Sequence, residues 1–212
     1  MRTKEYDVDV ADANLTGFAS NVTGASFTIA TTVASDGLAH QVSIRNDSAT
    51  DHAGKTVTLV GTDADGYVLT EVVTAPGTSA TVESAGYFKT LTSATPSATI
   101  GADTFDIGWV DEVSTQSIPL DWRSDVAAAI NVDVTGTIDF TVQQTFDDVQ
   151  RPGQAPQSAQ QSAQWLDITA LAAKTADTTS TASIGATAIR LKVNSYSSAA
   201  ELQMNVNQTS SR

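Results

Sequence analysis

Apolar and polar residues alternate with a period of two along most of the chain, and this pattern predicts β-strands. Segment 26–33, SFTIATTV, places Phe27 on an inward face and predicts an early strand. The following segment, AHQVSIRND, places His40, Val42 and Ile44 on one face, as in a strand whose other face meets solvent. Helical periodicity is rare, so the pattern favours an all-β fold.

A hairpin is predicted where KTVTLVGTDADGYVLTEVVT alternates on both sides of a turn. Its strands cover 55–62 and 67–74, and the turn DADG at 63–66 ends in an Asp-Gly pair, which readily supplies a positive φ. After Pro76-Gly77, the segments TSATVES, GYFKTLTSAT and TFDIGWV predict three further short strands.

The alternation pauses around 114–119, which predicts a domain boundary. Beyond it, AAAINVDVTGTIDFTVQQTF predicts a second hairpin with its turn at Thr135-Gly136. Residues 151–164 are rich in Gln, Ala, Ser and Pro, so we expect a mobile loop there. The segments WLDIT, AIRLKVN and ELQMNVNQ predict the closing strands, and 170–176 is the one place where a short helix fits.

Short strands separated by turn signals are typical of antiparallel sandwiches and barrels. We therefore predict an all-β protein with two tandem antiparallel β-sandwich-like domains and short hairpin turns. The domains are expected at 26–116 and 117–212, and the second carries the mobile loop 151–164. Residues 1–25 have few strand signals, so we expect an N-terminal arm or extended segment, either ordered on binding or frayed.

Composition and charge exclude several classes of function. The chain has 11 Lys and Arg against 24 Asp and Glu, a net charge of −13, and the cations are scattered singly, so we expect no nucleic-acid partner. The same sign disfavours an anionic membrane surface, and no apolar run is long enough for a bilayer. The acidic N-terminus disfavours a secretory signal, and the absence of cysteine excludes disulfides and is compatible with synthesis in a reducing cytoplasm.

The residues that could carry catalysis or bind a metal are few. His40 lies in the inward phase of a strand and His52 in the turn NDSATDHAGK, with no metal-ligand spacing between them, so we interpret both as structural or solvated. Asp63 and Asp65 resemble the start of a calcium loop, but a hairpin turn accounts for them. Asp147-Asp148 is interpreted as a strand-end cap rather than a metal or acid pair. We predict no catalytic residue, no cofactor and no metal.

The three tryptophans lend themselves to two interpretations. Trp109, Trp122 and Trp165 each lie beside apolar strand residues, and large aromatic side chains usually close β-sandwich cores, so we interpret them as core residues. The alternative is a carbohydrate-binding module in which these rings stack against sugars.

Three motifs in the first half are similar to a known family. The hairpin turn GTDADG at 61–66, the strand TEVV at 70–73 and the strand YFKTLTS at 87–93 resemble a segment common in virion structural proteins of tailed bacteriophages. The second half, with FTVQQTFDDVQ, WLDIT, ATAIRLKVN and ELQMNVNQ, resembles the module often found beside that segment. The resemblance covers most of residues 40–208.

The resemblance implies a noncatalytic virion structural protein, made in the host cytoplasm, that decorates or cements the exterior of the capsid. Its implied partners are the major capsid protein and copies of itself in a homo-oligomer or symmetric array. The acidic charge fits an outward position, because phosphate would repel an acidic protein lining the DNA cavity at close range. A neck or tail component of the virion is the alternative, and the interface residues are unknown at this level.

Overall fold

The structure, a computed structural model, describes residues 4–149, 162–197 and 199–208 and confirms the all-β class. A short 3-10 helix, Thr169–Leu171, overlaps the segment expected to be helical. The described part of the chain contains no helix that is both long and apolar enough to span a bilayer. The strands are β1 (Lys4–Asp9), β2 (Asn14–Val22), β3 (Ala39–Asn46), β4 (Thr56–Thr62), β5 (Val68–Thr74), β6 (Thr81–Phe88), β7 (Thr90–Pro96), β8 (Phe105–Ser114), β9 (Ile118–Pro119), β10 (Ala129–Thr135), β11 (Ile138–Thr145), β12 (Leu166–Asp167), β13 (Thr178–Thr181), β14 (Ala188–Tyr196) and β15 (Glu201–Asn207).

Contacts divide the chain into two compact units. We call residues 13–111 the central unit, and the described residues before 13 and after 111 the terminal unit. This division differs from the predicted one, 26–116 and 117–212, because it groups β1 with the C-terminal strands. Most of the predicted mobile loop 151–164 lies outside the described residues.

The segment expected as an N-terminal arm, 1–25, contributes one strand to each unit. β1 pairs with β15 from Lys4↔Val206 to Asp9↔Glu201, and β2 pairs irregularly with β8. Val8 and Phe18 are buried. In β1 and directly after it, the residues Tyr6, Val8 and Val10 alternate with acids, a period-two strand signal that the prediction of an arm overlooked.

The central unit is built from two sheets that share one hydrophobic cluster. In the first sheet, β3 lies between β8 and β6, and β2 pairs with β8. In the second sheet, β4 lies between β5 and β7. A shared two-sheet core is consistent with the predicted sandwich form. The large buried side chains of this cluster include Phe18, Ile44, Leu59, Leu69, Phe88, Leu91, Phe105 and Ile107.

The prediction that β3 has one wet face is confirmed only in part, because Gln41 and Arg45 on that face are partly exposed. Val42 and Ile44 enter the core as predicted, but Ala39 and Ser43 on the opposite face are buried as well. Ser43 is compatible with either environment, because a small hydroxyl side chain does not report whether other chain segments cover its face.

Segment 26–33 does not form the predicted strand. Phe27 forms an isolated bridge with Ala94, whereas the N–H groups of Ala30 and Thr31 both donate to the carbonyl of Phe18. Because successive residues bond to different segments, no ladder develops.

The hairpin of β4 and β5 is confirmed. The two strands pair without interruption from Thr56↔Thr74 to Thr62↔Val68. In the turn, Gly66 has φ of 87°, and its N–H donates to the carbonyl of Asp63 over 3.0 Å. Positive φ is easily adopted by glycine, so the Asp-Gly pair fixes both the turn and the register.

The terminal unit also contains two sets of strands. β15 lies between β1 and β10, and β13 pairs with the far side of β10. β11 lies between β12 and β14, and β14 also pairs with β9 and with the last residues of β8. The inward residues predicted for β11, β14 and β15 are buried: Ile138, Phe140, Val142, Ile189, Leu191, Val193, Leu202, Met204 and Val206.

The predicted hairpin at Thr135-Gly136 is wrong, although both of its strands exist. β10 and β11 belong to different ladders, so the chain passes from one sheet to another at this turn. The passage from β14 to β15 runs beside it, because the Ser197 N–H donates to the Thr137 carbonyl over 3.0 Å. Period-two alternation defines the faces of a strand and not its neighbours, which explains the error.

Substitution of Gly61 tests the close approach of β4 to β7. A Cβ at Gly61 would lie 1.8 Å from the carbonyl oxygen of Thr90, a backbone atom that can move only with its strand. We expect Gly61→Ala to lower the free energy of unfolding by about 1–3 kcal/mol, as overpacking does. Gly54→Ala is the control, because its Cβ would have no neighbour within 4 Å. Urea unfolding followed by circular dichroism measures both, and equal stabilities would contradict this packing.

Candidate functional site

His40 is a structural histidine of the central unit. Its side chain is fully buried, with Nδ1 2.7 Å from the carbonyl oxygen of Val110 and Nε2 2.8 Å from Oδ2 of Asp36. A carbonyl oxygen only accepts, so Nδ1 carries a proton and donates to Val110. Nε2 and the carboxyl group of Asp36 form a second hydrogen bond. Both ring nitrogens are thus occupied in linking the turn before β3 to β8.

His52 is also buried and bonded on both ring nitrogens. The Lys55 ammonium group, which can only donate, lies 2.9 Å from Nδ1, so Nε2 carries the proton and donates to Asp103 over 3.0 Å. Lys55 donates further to the carbonyl of Thr99 over 2.8 Å. The arrangement ties two loops together and leaves neither nitrogen accessible for acid-base chemistry on a bound molecule.

The acidic pairs considered as metal ligands have structural contacts. Oδ1 of Asp63 accepts the N–H groups of Asp65 and Tyr67 at 3.0 and 2.9 Å, the arrangement expected of a hairpin turn. Oδ2 of Asp147 accepts the N–H of Gln164 over 2.6 Å. Among the described residues, no three His, Cys, Asp or Glu side chains are grouped so that they could hold a metal ion.

The tryptophans divide into one core residue and two that are more exposed. Trp109 is 5% exposed and packs edge-on against Phe18, with ring centroids 5.1 Å apart, so its predicted core role is confirmed. Trp122 is 56% exposed, so the core prediction is wrong there. Trp165 is half-buried, with the Arg190 guanidinium 4.3 Å from its ring centre.

A charged cluster at the edge of the central core was not predicted. Arg45 bonds both Asp47 and the buried Asp106, which also accepts the N–H of Asn21 over 2.8 Å. Burial acts to raise the pKa of Asp106. Three other contacts outweigh burial and lower this pKa: the Asn21 N–H, a hydrogen bond with Asp47 and the Arg45 guanidinium. The hydrogen bond with Asp106 raises the pKa of Asp47, with burial adding to it.

The outward face of the β1, β15 and β10 ladder is strongly acidic. Its outward positions carry no Lys or Arg. The Gln203 amide donates to the carboxylates of Glu5 and Asp7 at 2.9 Å each, which orders part of the face. Residues of this face that line a cleft include Asp7, Asp9, Asp133, Thr135, Glu201 and Gln203.

The outward face of the β5, β4 and β7 sheet carries no charge, and we call it the threonine face. Its exposed large hydrophobic residues are Val68 and Val72, at 50% and 61%. Alternate residues of these strands point outward because the inward set enters the core. The residues of the face are Thr56, Thr58, Val60, Thr62, Val68, Thr70, Val72, Thr74, Thr90, Thr92, Ser93 and Thr95.

Glu71 closes the open edge of β6. It lies in the inward phase of β5, and its two carboxylate oxygens accept the N–H groups of Ala85 and Gly86 at 2.7 and 2.8 Å. An acid in the inward phase of an apolar strand was a signal in the sequence, and its structural meaning was missed.

No family model matches the chain, and no curated protein or solved structure shows significant similarity to it. Histidines and several acids are engaged inside the fold, whereas two contrasting surfaces, one acidic and one uncharged, are available for contact with other molecules.

Replacing the two partners of Arg45 separately tests the charged cluster. Asp106→Asn places an amide N–H₂ or a neutral oxygen against Arg45, and we expect a loss of about 1–3 kcal/mol in the free energy of unfolding near neutral pH. Because the pKa of Asp106 is lowered, its contribution is present above the ordinary value of 3.8 and is lost as pH falls through the lowered pKa.

The opposite sign is expected for Asp47. Its raised pKa means that its contribution is present below 3.8 and is lost as pH rises through the raised value, so Asp47→Asn should cost little at neutral pH. Urea unfolding across the acid range measures both variants. A larger neutral-pH loss for Asp47→Asn than for Asp106→Asn would show that the roles are reversed.

The contrast between Trp109 and Trp122 is testable in the same way. We expect Trp109→Ala to lose about 3–5 kcal/mol, because it leaves a large cavity beside Phe18. Trp122→Ala should stay within about 0.5 kcal/mol of the parent protein, because the ring is exposed. Thermal and urea unfolding give both values, and similar losses would refute the assignment of Trp109 alone to the core.

Proposed function

We propose that the protein is a noncatalytic structural component of a tailed-bacteriophage virion that decorates or cements the exterior of the capsid. The observation that carries the proposal is the resemblance of three motifs, at 61–66, 70–73 and 87–93. These motifs lie on β4 to β7 and the turns between them, within one core, so the resemblance concerns a contiguous part of the central unit.

The distribution of charge supports an outward position on the particle. A net charge of −13 is accompanied by an acidic face on the β1, β15 and β10 ladder. Such a face would meet repulsion near packaged DNA, whereas on the exterior it favours solubility and contact with cationic groups. The partner that the resemblance implies is the major capsid protein, bound through several modest contacts rather than through one deep pocket.

Cementing requires buried area and repetition rather than a reactive centre. A specific contact buries about 800 Å² per partner, and repeated contacts around symmetry axes add avidity. A protein that binds the assembled shell better than its free subunits shifts the equilibrium towards the shell. In this function the protein is made in the host cytoplasm and acts in the virion as a homo-oligomer or symmetric array.

The experiment compares particles that contain the protein with particles that lack it. We expect particles without it to assemble but to release their DNA at a lower temperature, because the shell has lost stabilising contacts. Release is followed by the fluorescence of a DNA-binding dye during heating, and adding back the purified protein should restore the original temperature. Unchanged heat resistance would argue against cementing.

The same particles separate the head from the alternative position at the neck or tail. A copy number in the hundreds, obtained from quantitative mass spectrometry, supports decoration of the head. A small multiple matching a single vertex or ring supports a neck or tail component instead.

A further inference from the structure

The outer edge of β5 is left open for a further strand. The Asp63 N–H donates to the Tyr67 carbonyl over 2.8 Å, and the Ala75 N–H donates to the Lys55 carbonyl over 2.9 Å. In an antiparallel ladder such bonded pairs recur at every second residue, so Leu69, Glu71 and Val73 bond to β4. The backbone N–H and C=O groups that point away from β4 are those of Val68, Thr70, Val72 and Thr74.

Other edges of the same unit are covered. The edge of β7 receives the segment 27–32, through the Phe27 N–H on Ala94 and the Leu91 N–H on Thr32. The edge of β6 is capped by Glu71. Within the described chain, β5 pairs with β4 alone. The backbone N–H and C=O groups of its four outward-facing residues make no hydrogen bond there.

The open edge has few of the devices by which proteins prevent strand pairing, and its one inward charge, Glu71, is bonded to amides of β6. Exposed edges are usually protected by Lys, Pro, bulges or inward charges. β5 has no Lys, Arg or Pro and pairs with β4 without a bulge. Its one charged residue, Glu71, is turned to β6, while Val68 and Val72 stand exposed beside the open backbone.

We propose that β5 pairs antiparallel with β5 of a second copy of this chain across a two-fold axis. Placing Glu71 of each copy at the axis sets Thr70 opposite Val72 of the other copy and Val68 opposite Thr74. All four outward-facing positions then pair, which gives about eight backbone hydrogen bonds. The two three-stranded sheets merge into one continuous sheet.

The uncharged surface around β5 allows a second copy to approach at this edge. Two molecules with a net charge of −13 each repel wherever their acidic surfaces meet, and the threonine face and the β5 edge provide a contact without exposed charge. Threonine and valine, which would lie opposite one another, are β-branched residues that suit paired strands. The two Glu71 carboxylates lie on the inward side, each already bonded to two amides of its own β6.

The contact is expected to be modest in strength. An edge of seven residues is about 23 Å long, and pairing along it buries less than the area of about 800 Å² per partner that a standard stable interface uses. We therefore expect a dissociation constant of about 1–100 μM, which suits a contact that is multiplied by symmetry. The inference does not rest on the virion role, because the edge and its charge are properties of the chain alone.

Sedimentation equilibrium of the full chain over a range of concentrations tests the proposal. The parent protein should show a reversible monomer–dimer equilibrium, and Val72→Lys should raise the dissociation constant at least tenfold by placing an ammonium group of each copy beside the axis. Thr95→Lys is the matched control, because it adds the same charge to an exposed residue of the β7 edge strand. It should leave dimerisation unchanged.

Cysteine cross-linking tests the register, since the native chain contains no cysteine. A mixture of Thr70→Cys and Val72→Cys chains should form the mixed disulfide under mild oxidation, because paired Cα atoms about 5.5 Å apart are within disulfide range. The Val72→Cys chain alone should cross-link much less, because its two copies are displaced along the strands. This measurement also decides the matter if Val72→Lys fails to fold.

Three results would overturn the proposal. They are a parent protein that stays monomeric at all concentrations, a dimer that is insensitive to Val72→Lys, and a dimer equally weakened by Thr95→Lys. A strand of another protein found on β5 in a particle would also exclude the second copy as its occupant. A monomer would leave the heat-resistance experiment on particles unaffected, so the two proposals fail separately.

Discussion

The structure depends on how the edges of its β-sheets are covered. A protein whose regular secondary structure is almost entirely strand has rows of backbone N–H and C=O groups at each sheet margin, and each row needs a partner, a cover or water. Glu71 shows one solution, since one carboxylate takes two amides at the edge of β6 and belongs to a strand of the opposite sheet. The irregular segment around Phe27 shows another, since it covers β7 without forming a regular strand.

The same constraint explains how the polar residues inside the fold are used. His40, His52 and Asp106 are buried, and each bonds groups on other segments of the central unit. Burial of a polar group is costly unless its hydrogen bonds are made, so these side chains fix loops to strands in one arrangement. Residues that would first be considered for catalysis are therefore engaged in holding the fold together.

The surfaces show the complementary distribution. Acidic side chains gather on the ladder of β1, β15 and β10, while threonine and valine cover the sheet of β5, β4 and β7. One face favours cationic partners and long-range repulsion between copies, and the other permits close approach of like-charged molecules. A structural role in a repeating assembly uses both properties, and the proposed capsid function and β5 contact each draw on one of them.

Sequence patterns were enough to predict the all-β class, the β4–β5 hairpin with its Asp-Gly turn, and the buried faces of β11, β14 and β15. These features are local, because alternation of side chains and the positive φ of Gly66 act within a few residues. Tertiary structure decided which strands pair: β10 and β11 separate into different ladders, β1 joins β15, and segment 26–33 bridges rather than pairs. Contacts between distant residues also bury Ser43 on the outer face of β3, leave Trp122 exposed and bring Arg45 to Asp106. Those outcomes depend on contacts between residues far apart in the chain, and a period of two carries information about faces but none about neighbours.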